Sequence, residues 1–296
     1  MLFYNFYKRR ALLQPLGSIA SPYLKVNLAK LKNSLSAMST FTGKLDIHKG
    51  VTVSSAEEPC PDVKEFTARL EASLRKWQDA KLRGVWFRVA VNHVQWIPIL
   101  SQNGFIIHNA YGDTITMCRW IQREEANRIP NYAHNMVGAG AVVINDQNQV
   151  LVVQERYRNR PYWKLPGGYV DPGEDIVCAA QREVLEETNV RTEFESLVTF
   201  RHSLEAVFGC SDLYFVVRLR PLTSEILKQD VEIDNAMWMD VDEFLNHPEV
   251  HENNRMFVRK SIENKANGIL MARDTTFHPI TQKPQALYYI TKSPDS

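Results

Sequence analysis

Residues Gly168–Val190 read GYVDPGEDIVCAAQREVLEETNV. Ile176, Val177, Ala180, Val184 and Leu185 fall where a helix can turn them toward a core, and the spacing predicts a helix over Asp175–Thr188 with Asp175 as its N-cap. Glu183, Glu186 and Glu187 stand at i, i+3 and i+4, so three carboxylates share one helix face. Like charges at that spacing repel and weaken the helix, and a divalent cation is the obvious compensation. Hard oxygen ligands on a rigid helix suit Mg2+ or Mn2+, which keep several waters and take further oxygens from a substrate's phosphates. Arg182, four residues before Glu186, can neutralise part of the cluster without competing as a ligand. The preceding Pro166-Gly167-Gly168 brings a backbone without side-chain bulk close to a metal or phosphate. An isolated E-x-x-E-E is more often a solvated acidic face, so the weight of the reading falls on the longer spacing around it.

That spacing runs from Gly168 over five residues to Glu174, over seven more to Arg182-Glu183-Val184, then Glu186-Glu187, Asn189 and Val190. It resembles the box of the Nudix family, G-x5-E-x7-R-E-U-x-E-E-x-G-U with U aliphatic, at eight of nine defined positions. The departure is Asn189 in place of glycine, and asparagine is the next residue to accept the left-handed conformation that ends a helix. The resemblance implies an α/β class fold, the Nudix α/β/α sandwich with a mixed sheet, and hydrolysis of a pyrophosphate by attack of water on one phosphorus. Metal coordination lowers the pKa of that water and stabilises the leaving oxygen. Carried over position by position, Glu183 and Glu187 are implied metal ligands, with Glu186 assisting or activating water. Glu174 is implied for a further ion, the Gly168 carbonyl as a ligand, and Arg182 as the group that orients the carboxylates. The base is left open between Glu186 and Glu187 within the box and Glu205 or Asp212 in a later loop.

Working outward, Gly138–Asp146, a turn at Gln147-Asn148 and Val150–Arg156 alternate as a hairpin. Strands are expected near Ser196–Arg201, Leu213–Leu219 and Ala236–Met239, with helices from Val241 and Glu252. Arg156, Arg158 and Arg160 precede Trp163 and offer phosphate contacts beside an adenine-stacking ring, or else the arginines are solvated and Trp163 packs beneath the loop. Residues 41–125 form a smaller α/β unit: Leu70, Leu74 and Trp77 mark a helix within Pro61–Lys81. Val85–Val91, Phe105–Tyr111 and Thr114–Ile121 read as strands, with a helix around Val94–Gln102. Residues 126–134 read as a linker, 135–275 as the Nudix domain and 276–296 as a C-terminal tail.

The stretches GVWFRV, CRWI, PNYAHNMVGAGAVV, WKLPGGYVDPGEDI and FGCSDLYFVVRL resemble the group containing the vertebrate antisense basic fibroblast growth factor Nudix protein and the plant ADP-ribose/NADH Nudix hydrolases. That resemblance spans about Phe41 to Glu243 and implies ADP-ribose or NADH as substrate, and an acetyltransferase-like first unit. No glycine-rich pyrophosphate turn accompanies that unit, since Gly104 and Gly112 stand isolated, so its expected roles are structural: homodimer contact and shaping one wall of the site. Trp77, Trp86, Phe87, Trp96, Phe105, Tyr111 and Trp120 are more large rings than a minimal core of so short a unit needs, so either some of them face a partner copy or all seven are core. An RNA-cap or dinucleoside polyphosphate hydrolase, and a weakly active regulatory binding protein, are the alternatives.

Composition narrows the classes further. The chain has 296 residues, 44% of them hydrophobic and 23% charged, which suits two globular domains. Lys plus Arg (35) nearly balances Asp plus Glu (34), so no global field draws nucleic acid; the nucleotide-containing small-molecule substrate expected as partner is what the resemblance implies. Cys60, Cys118, Cys178 and Cys210 form no C-x-x-C pair, which speaks against a zinc knuckle or disulfide framework. No apolar run has the roughly 18 residues a membrane span needs. Residues 1–40 carry Lys8, Arg9, Arg10, Lys25, Lys30 and Lys32, and no acid occurs before Asp46. This is the pattern of a mitochondrial transit peptide. A solvated tail, or an extension skipped by initiation at Met38 in a cytoplasmic or nuclear protein, is the alternative.

Overall fold

The computed structural model describes residues 39–156 and 161–292. The basic leader up to Met38, with the transit reading, and Arg158 and Arg160 lie outside the described residues. Two compact units divide at Tyr132 and Ala133. Among the described residues no helix is long and apolar enough to cross a membrane.

The first unit contains β1 (Lys44–Leu45), β2 (Val51–Ser54), α1 (Val63–Asp79), β3 (Gly84–Ala90), α2 (Trp96–Gln102), β4 (Ile106–Tyr111) and β5 (Thr114–Trp120). Its sheet runs β1-β2-β3-β5-β4, with β2 and β3 parallel and the other neighbours antiparallel. Asp62 caps α1 by accepting from Glu65 N, and Phe66, Leu70, Leu74 and Trp77 fall on the face it buries. Of the seven large rings, Trp77, Phe87, Trp96 and Phe105 are core, whereas Tyr111 is 76% exposed. Phe41 and Phe66 complete the aromatic core, with Phe66 stacked on Trp96 at 4.3 Å.

The second unit contains β6 (Asn135–Val143), β7 (Gln149–Glu155), β8 (Gly167–Tyr169), α3 (Ile176–Thr188), β9 (Thr192–Ser203), β10 (Ser211–Pro221) and β11 (Ile233–Asp240). Then follow α4 (Val241–Asn246), α5 (Glu252–Ala266), β12 (Ile269–Phe277) and β13 (Pro284–Lys292). A mixed sheet runs β8-β6-β10-β9, with β6 parallel to β10. Ala139, Ala141, Val217 and Leu219 face Val177, Ala180 and Val184 of α3 on one side. Val142 and Val216 face Phe257 and Val258 of α5 on the other, which makes three layers of helix, sheet and helix.

Two expectations need correction. β6 and β7 turn tightly at Asn145–Gln149 but share only the bridge Ile144–Val150; β7 pairs instead with β11. Both strands are buried continuously, Ala139–Val143 in one and Val150–Gln154 in the other, so each is an interior strand with two covered faces rather than half of a solvated hairpin. Nor is 276–296 a tail throughout, because Pro284–Lys292 pairs antiparallel with Ile269–Phe277. Tyr288 and Met271 of this hairpin pack on the α3 side of the core. Tyr288 Oη donates to Asp175 Oδ2 at 3.3 Å and Arg273 Nε lies 3.2 Å from Asp175 Oδ1.

Asp175 is therefore both helix cap and hairpin anchor. Asp175→Ala is expected to cost about 1–3 kcal/mol, the sum of a lost cap and a lost charge-assisted contact, read as a lower denaturant midpoint. Asp175→Asn, which keeps the cap, should cost less. A midpoint unchanged in the alanine variant would contradict the dual role.

Candidate active site

The helix α3 carries the site and its ends explain its position. Asp175 accepts a hydrogen bond from Val177 N at 3.0 Å, and Asn189 takes φ 61° at the C-terminus while its N–H donates to Leu185 O. Asn189 thus does what the absent glycine would do. Val177, Ala180 and Val184 hold one face in the core, and Leu185, expected there, is instead 43% exposed. Core burial turns Glu183 and Glu187 inward toward β8, and Glu186 keeps more than half of its side chain in water.

Glu187 is the most enclosed of the three. Its Oε2 accepts from Gly167 N at 3.0 Å and its Oε1 lies 3.5 Å from Lys164 Nζ. Burial pushes the Glu187 carboxyl up to about 7, with Lys164 and the Gly167 N–H pulling it the other way. Burial raises Glu183 as well, against the opposing pull of Arg182. Glu183 rests on Gly168 so closely that a methyl group there would sit 2.5 Å from Glu183 Oε1. A side chain at that position would displace the Glu183 carboxylate from the turn.

Arg182 does more than its place in the sequence suggests. Its Nε and Nη2 grip both oxygens of Glu174 at 2.8 and 2.9 Å, while Nη1 donates to Glu183 Oε1 at 2.8 Å and Glu186 Oε2 at 3.1 Å. Nη2 also donates to Tyr169 O at 3.0 Å, which ties α3 to β8. These bonds hold the Glu174 carboxyl below its ordinary range, and the Asp171 N–H adds to the effect. Glu174 is thereby engaged as the partner of Arg182.

Gly167 and Gly168 line a cavity of about 520 Å3 that also meets Glu155, Lys164, Arg201 and Asp212. Sequence reasoning missed Glu155, Lys164 and Arg201. Lys164 Nζ is 2.6 Å from Glu155 and 3.3 Å from Gly167 O, so one ammonium links β7, the glycine turn and α3. Its only advance signal was a basic residue three before the glycine pair. Of the later-loop acids, Asp212 lines the cavity, paired with Arg201 at 2.6 Å, whereas Glu205 is exposed on the β9–β10 connection. Arg156 is exposed, with its N–H bonded to Glu232 O. Trp163 is half-buried against the α5-side core and bridges to Val250. Tyr162, one residue earlier, lines the cavity, as do Tyr169, Tyr214 and Phe257.

As the side chains stand, no three His, Cys, Asp or Glu residues among the described residues converge to enclose an ion. Arg182 and Lys164 engage the carboxylates instead. The donor set nevertheless fits a hard divalent cation: it is all oxygen, carried on one rigid helix, and abuts a backbone with no Cβ. Glu183, Glu187, Glu186 and the Gly168 carbonyl are the groups that would hold it.

Comparison with known proteins agrees with this geometry. A Nudix hydrolase domain model matches residues 41–121 and a NUDIX domain model matches residues 134–260. Nudix hydrolase 7 of Arabidopsis thaliana is 36% identical over 73% of this chain and 77% of its own. The chain belongs to the Nudix hydrolase family. Nudix hydrolase 8 of Arabidopsis thaliana is 37% identical over 72% of this chain. Nucleoside diphosphate-linked moiety X motif 6 of Homo sapiens is 35% identical over 68% of it. The matched segment spans 58% of the plant protein and 65% of the human one. The grouping with plant and vertebrate Nudix proteins read from the sequence is borne out. Nudix family hydrolases generally use divalent metal ions, and the glutamates of α3 occupy the box positions expected to serve them.

The raised Glu187 carboxyl has a measurable consequence in metal-free protein. A carboxyl whose folded pKa lies above its unfolded value favours the fold while protonated, and that contribution is lost as pH rises from about 4.5 through about 7. Glu187→Gln, which carries no charge, should therefore melt higher than the parent at pH 8 in chelator, with the difference shrinking toward pH 5. A difference independent of pH would contradict burial of an ionising carboxylate.

Proposed function

We propose that this Nudix protein hydrolyses the pyrophosphate of a nucleoside diphosphate linked to another group, with ADP-ribose and NADH as substrates and Mg2+ or Mn2+ as the ion. One observation carries the reading: the Glu183 and Glu187 carboxylates rest on the Gly167-Gly168 backbone, and that backbone lines a cavity shared with Lys164 and Arg201. Acids suited to hold a cation thus adjoin, across one glycine turn, a pocket whose basic residues suit phosphate oxygens, as a pyrophosphate substrate requires. When bound, the ion lowers the pKa of water and stabilises charge on the departing phosphate. Arg201 meets a phosphate oxygen, with Asp212 fixing its guanidinium. Arg182 holds Glu183 and Glu186 in place through its grip on Glu174. A proton leaving the attacking water has Glu186, the most exposed of the three glutamates, and Asp212 as acceptors.

The choice of ADP-ribose and NADH rests on resemblance to the plant group. RNA-cap hydrolysis draws less support, since the net charge is only +1. The first unit is read as structural and dimer-forming, because β4 is a sheet edge bearing exposed Ile106, Ile107 and Tyr111.

Full-length protein with Mg2+ or Mn2+ should convert ADP-ribose to AMP and ribose 5-phosphate, and sediment as a dimer. Glu183→Gln and Glu187→Gln should each lower kcat by at least about 100-fold with the fold retained, more than loss of an outer-shell partner costs. Turnover equal to the parent under saturating metal in both variants would refute the assignment.

A further inference from the structure

The cavity beside the α3 glutamates is lined by two kinds of residue. Glu155, Lys164, Arg201 and Asp212 are charged, and their ion pairs, Lys164 on Glu155 and Arg201 on Asp212, both at 2.6 Å, suit phosphates and their counter-ions. Tyr162, Asn253 and Asn254 line the same cavity and carry no charge. Chain pairing brings these three together. Trp163 N donates to Glu249 O at 3.0 Å and Trp163 bridges to Val250, so Tyr162 stands beside the residues that open α5. A tyrosine ring next to a pair of amides offers a planar apolar surface and directed hydrogen bonds, with no charge to neutralise.

The two amides are uncommitted. Asparagine is favoured as a helix cap, but the cap of α5 is His251, whose Nδ1 accepts from Asn253 N at 3.2 Å. Among the described residues the side-chain amides of Asn253 and Asn254 have no hydrogen-bond partner, and the Tyr162 ring beside them is 40% exposed. The other rings of the cavity have places of their own. Tyr214 and Phe257 stack on each other at 6.3 Å, and the Arg201 guanidinium lies 5.2 Å over Tyr214. Tyr169 is exposed too, but it follows Gly168 directly and its carbonyl accepts from Arg182, which makes it part of the glycine turn that carries the α3 carboxylates.

We propose that this uncharged wall is the base subsite: the Tyr162 ring stacks on adenine, and the amides of Asn253 and Asn254 read its edge. The assignment rests on the nucleoside diphosphate reading above and names the residues that choose the base. An asparagine amide matches adenine in both directions, since its Oδ1 accepts from the 6-amino group while its Nδ2 donates to N7. Hypoxanthine carries a carbonyl oxygen in place of that amino group, which leaves Oδ1 opposite an acceptor, so the same amide discriminates against it. Stacking uses the π-face common to all bases, so Tyr162 adds affinity without choosing among them.

The test is steady-state hydrolysis of ADP-ribose and of inosine diphosphate ribose by full-length parent, Asn253→Ala, Asn254→Ala, Tyr162→Ala and Tyr162→Phe. Alanine is the better helix former, so neither asparagine variant endangers the fold. The parent should prefer ADP-ribose in kcat/KM by about tenfold or more. At least one asparagine variant should bring that ratio near unity through KM, with kcat on ADP-ribose within about twofold of the parent. Tyr162→Ala should raise KM about tenfold for both substrates alike, and Tyr162→Phe should keep the parent KM. A merely structural role for the asparagines would leave the ratio between the two substrates where it was. A base preference retained in both asparagine variants, or an unchanged KM in Tyr162→Ala, would overturn the assignment. So would a parent active on nucleoside diphosphate derivatives without preference for adenine. A parent that hydrolyses no nucleoside diphosphate derivative would overturn the underlying reading and this one with it.

Discussion

A carboxylate buried against a glycine turn is the constraint on which the rest of this site depends. Glu187 is only 8% exposed and still ionisable, and its partners are one backbone N–H and one lysine. An unpaired carboxylate in such a place is costly, so its neighbourhood must supply cations or hydrogen bonds. Lys164, the Gly167 amide and the oxygen-rich surroundings follow from that requirement. Such a neighbourhood also suits exchange between a resident ammonium and an incoming divalent ion.

The second consequence concerns the helix. Three glutamates on one face of α3 repel one another, and Arg182 offsets this by spreading its donors over Glu174, Glu183, Glu186 and the Tyr169 carbonyl. Glu174 lies before the helix and Tyr169 on β8, so the guanidinium locks helix, loop and strand into one relative position. The rigidity needed to present oxygen ligands thus comes from the same contacts that neutralise the charge. Asp175 adds a second lock by capping α3 and holding the β12–β13 hairpin.

Much of this was legible in the sequence where the signal is local. The α3 helix, its cap at Asp175, its asparagine terminus and the clustered glutamates all follow from spacing within 23 consecutive residues, Gly168–Val190. The β6–β7 pairing was misread because two buried interior strands show no alternation to set their partners. The β13 strand escaped because its anchor, Tyr288 on Asp175, links residues 113 apart. Lys164, Glu155 and Arg201 escaped for the same reason, since they reach the cavity only after β7, β8 and β9 assemble. The sequence left Trp163 open between stacking on a base and packing beneath its loop. Its ring packs on the α5-side core, while the preceding Tyr162 lines the cavity, a choice set by tertiary packing rather than by local sequence.

The central claim is that the Gly168 backbone and the α3 glutamates act as one ion-holding unit. Manganese binding, followed by electron paramagnetic resonance in the parent and in Gly168→Ala, tests it most directly. The added methyl would meet Glu183 Oε1 at 2.5 Å and push the carboxylate away. The account predicts that the parent binds Mn2+ and that Gly168→Ala loses most of that affinity while keeping its circular dichroism. Equal Mn2+ affinity in both proteins would contradict it.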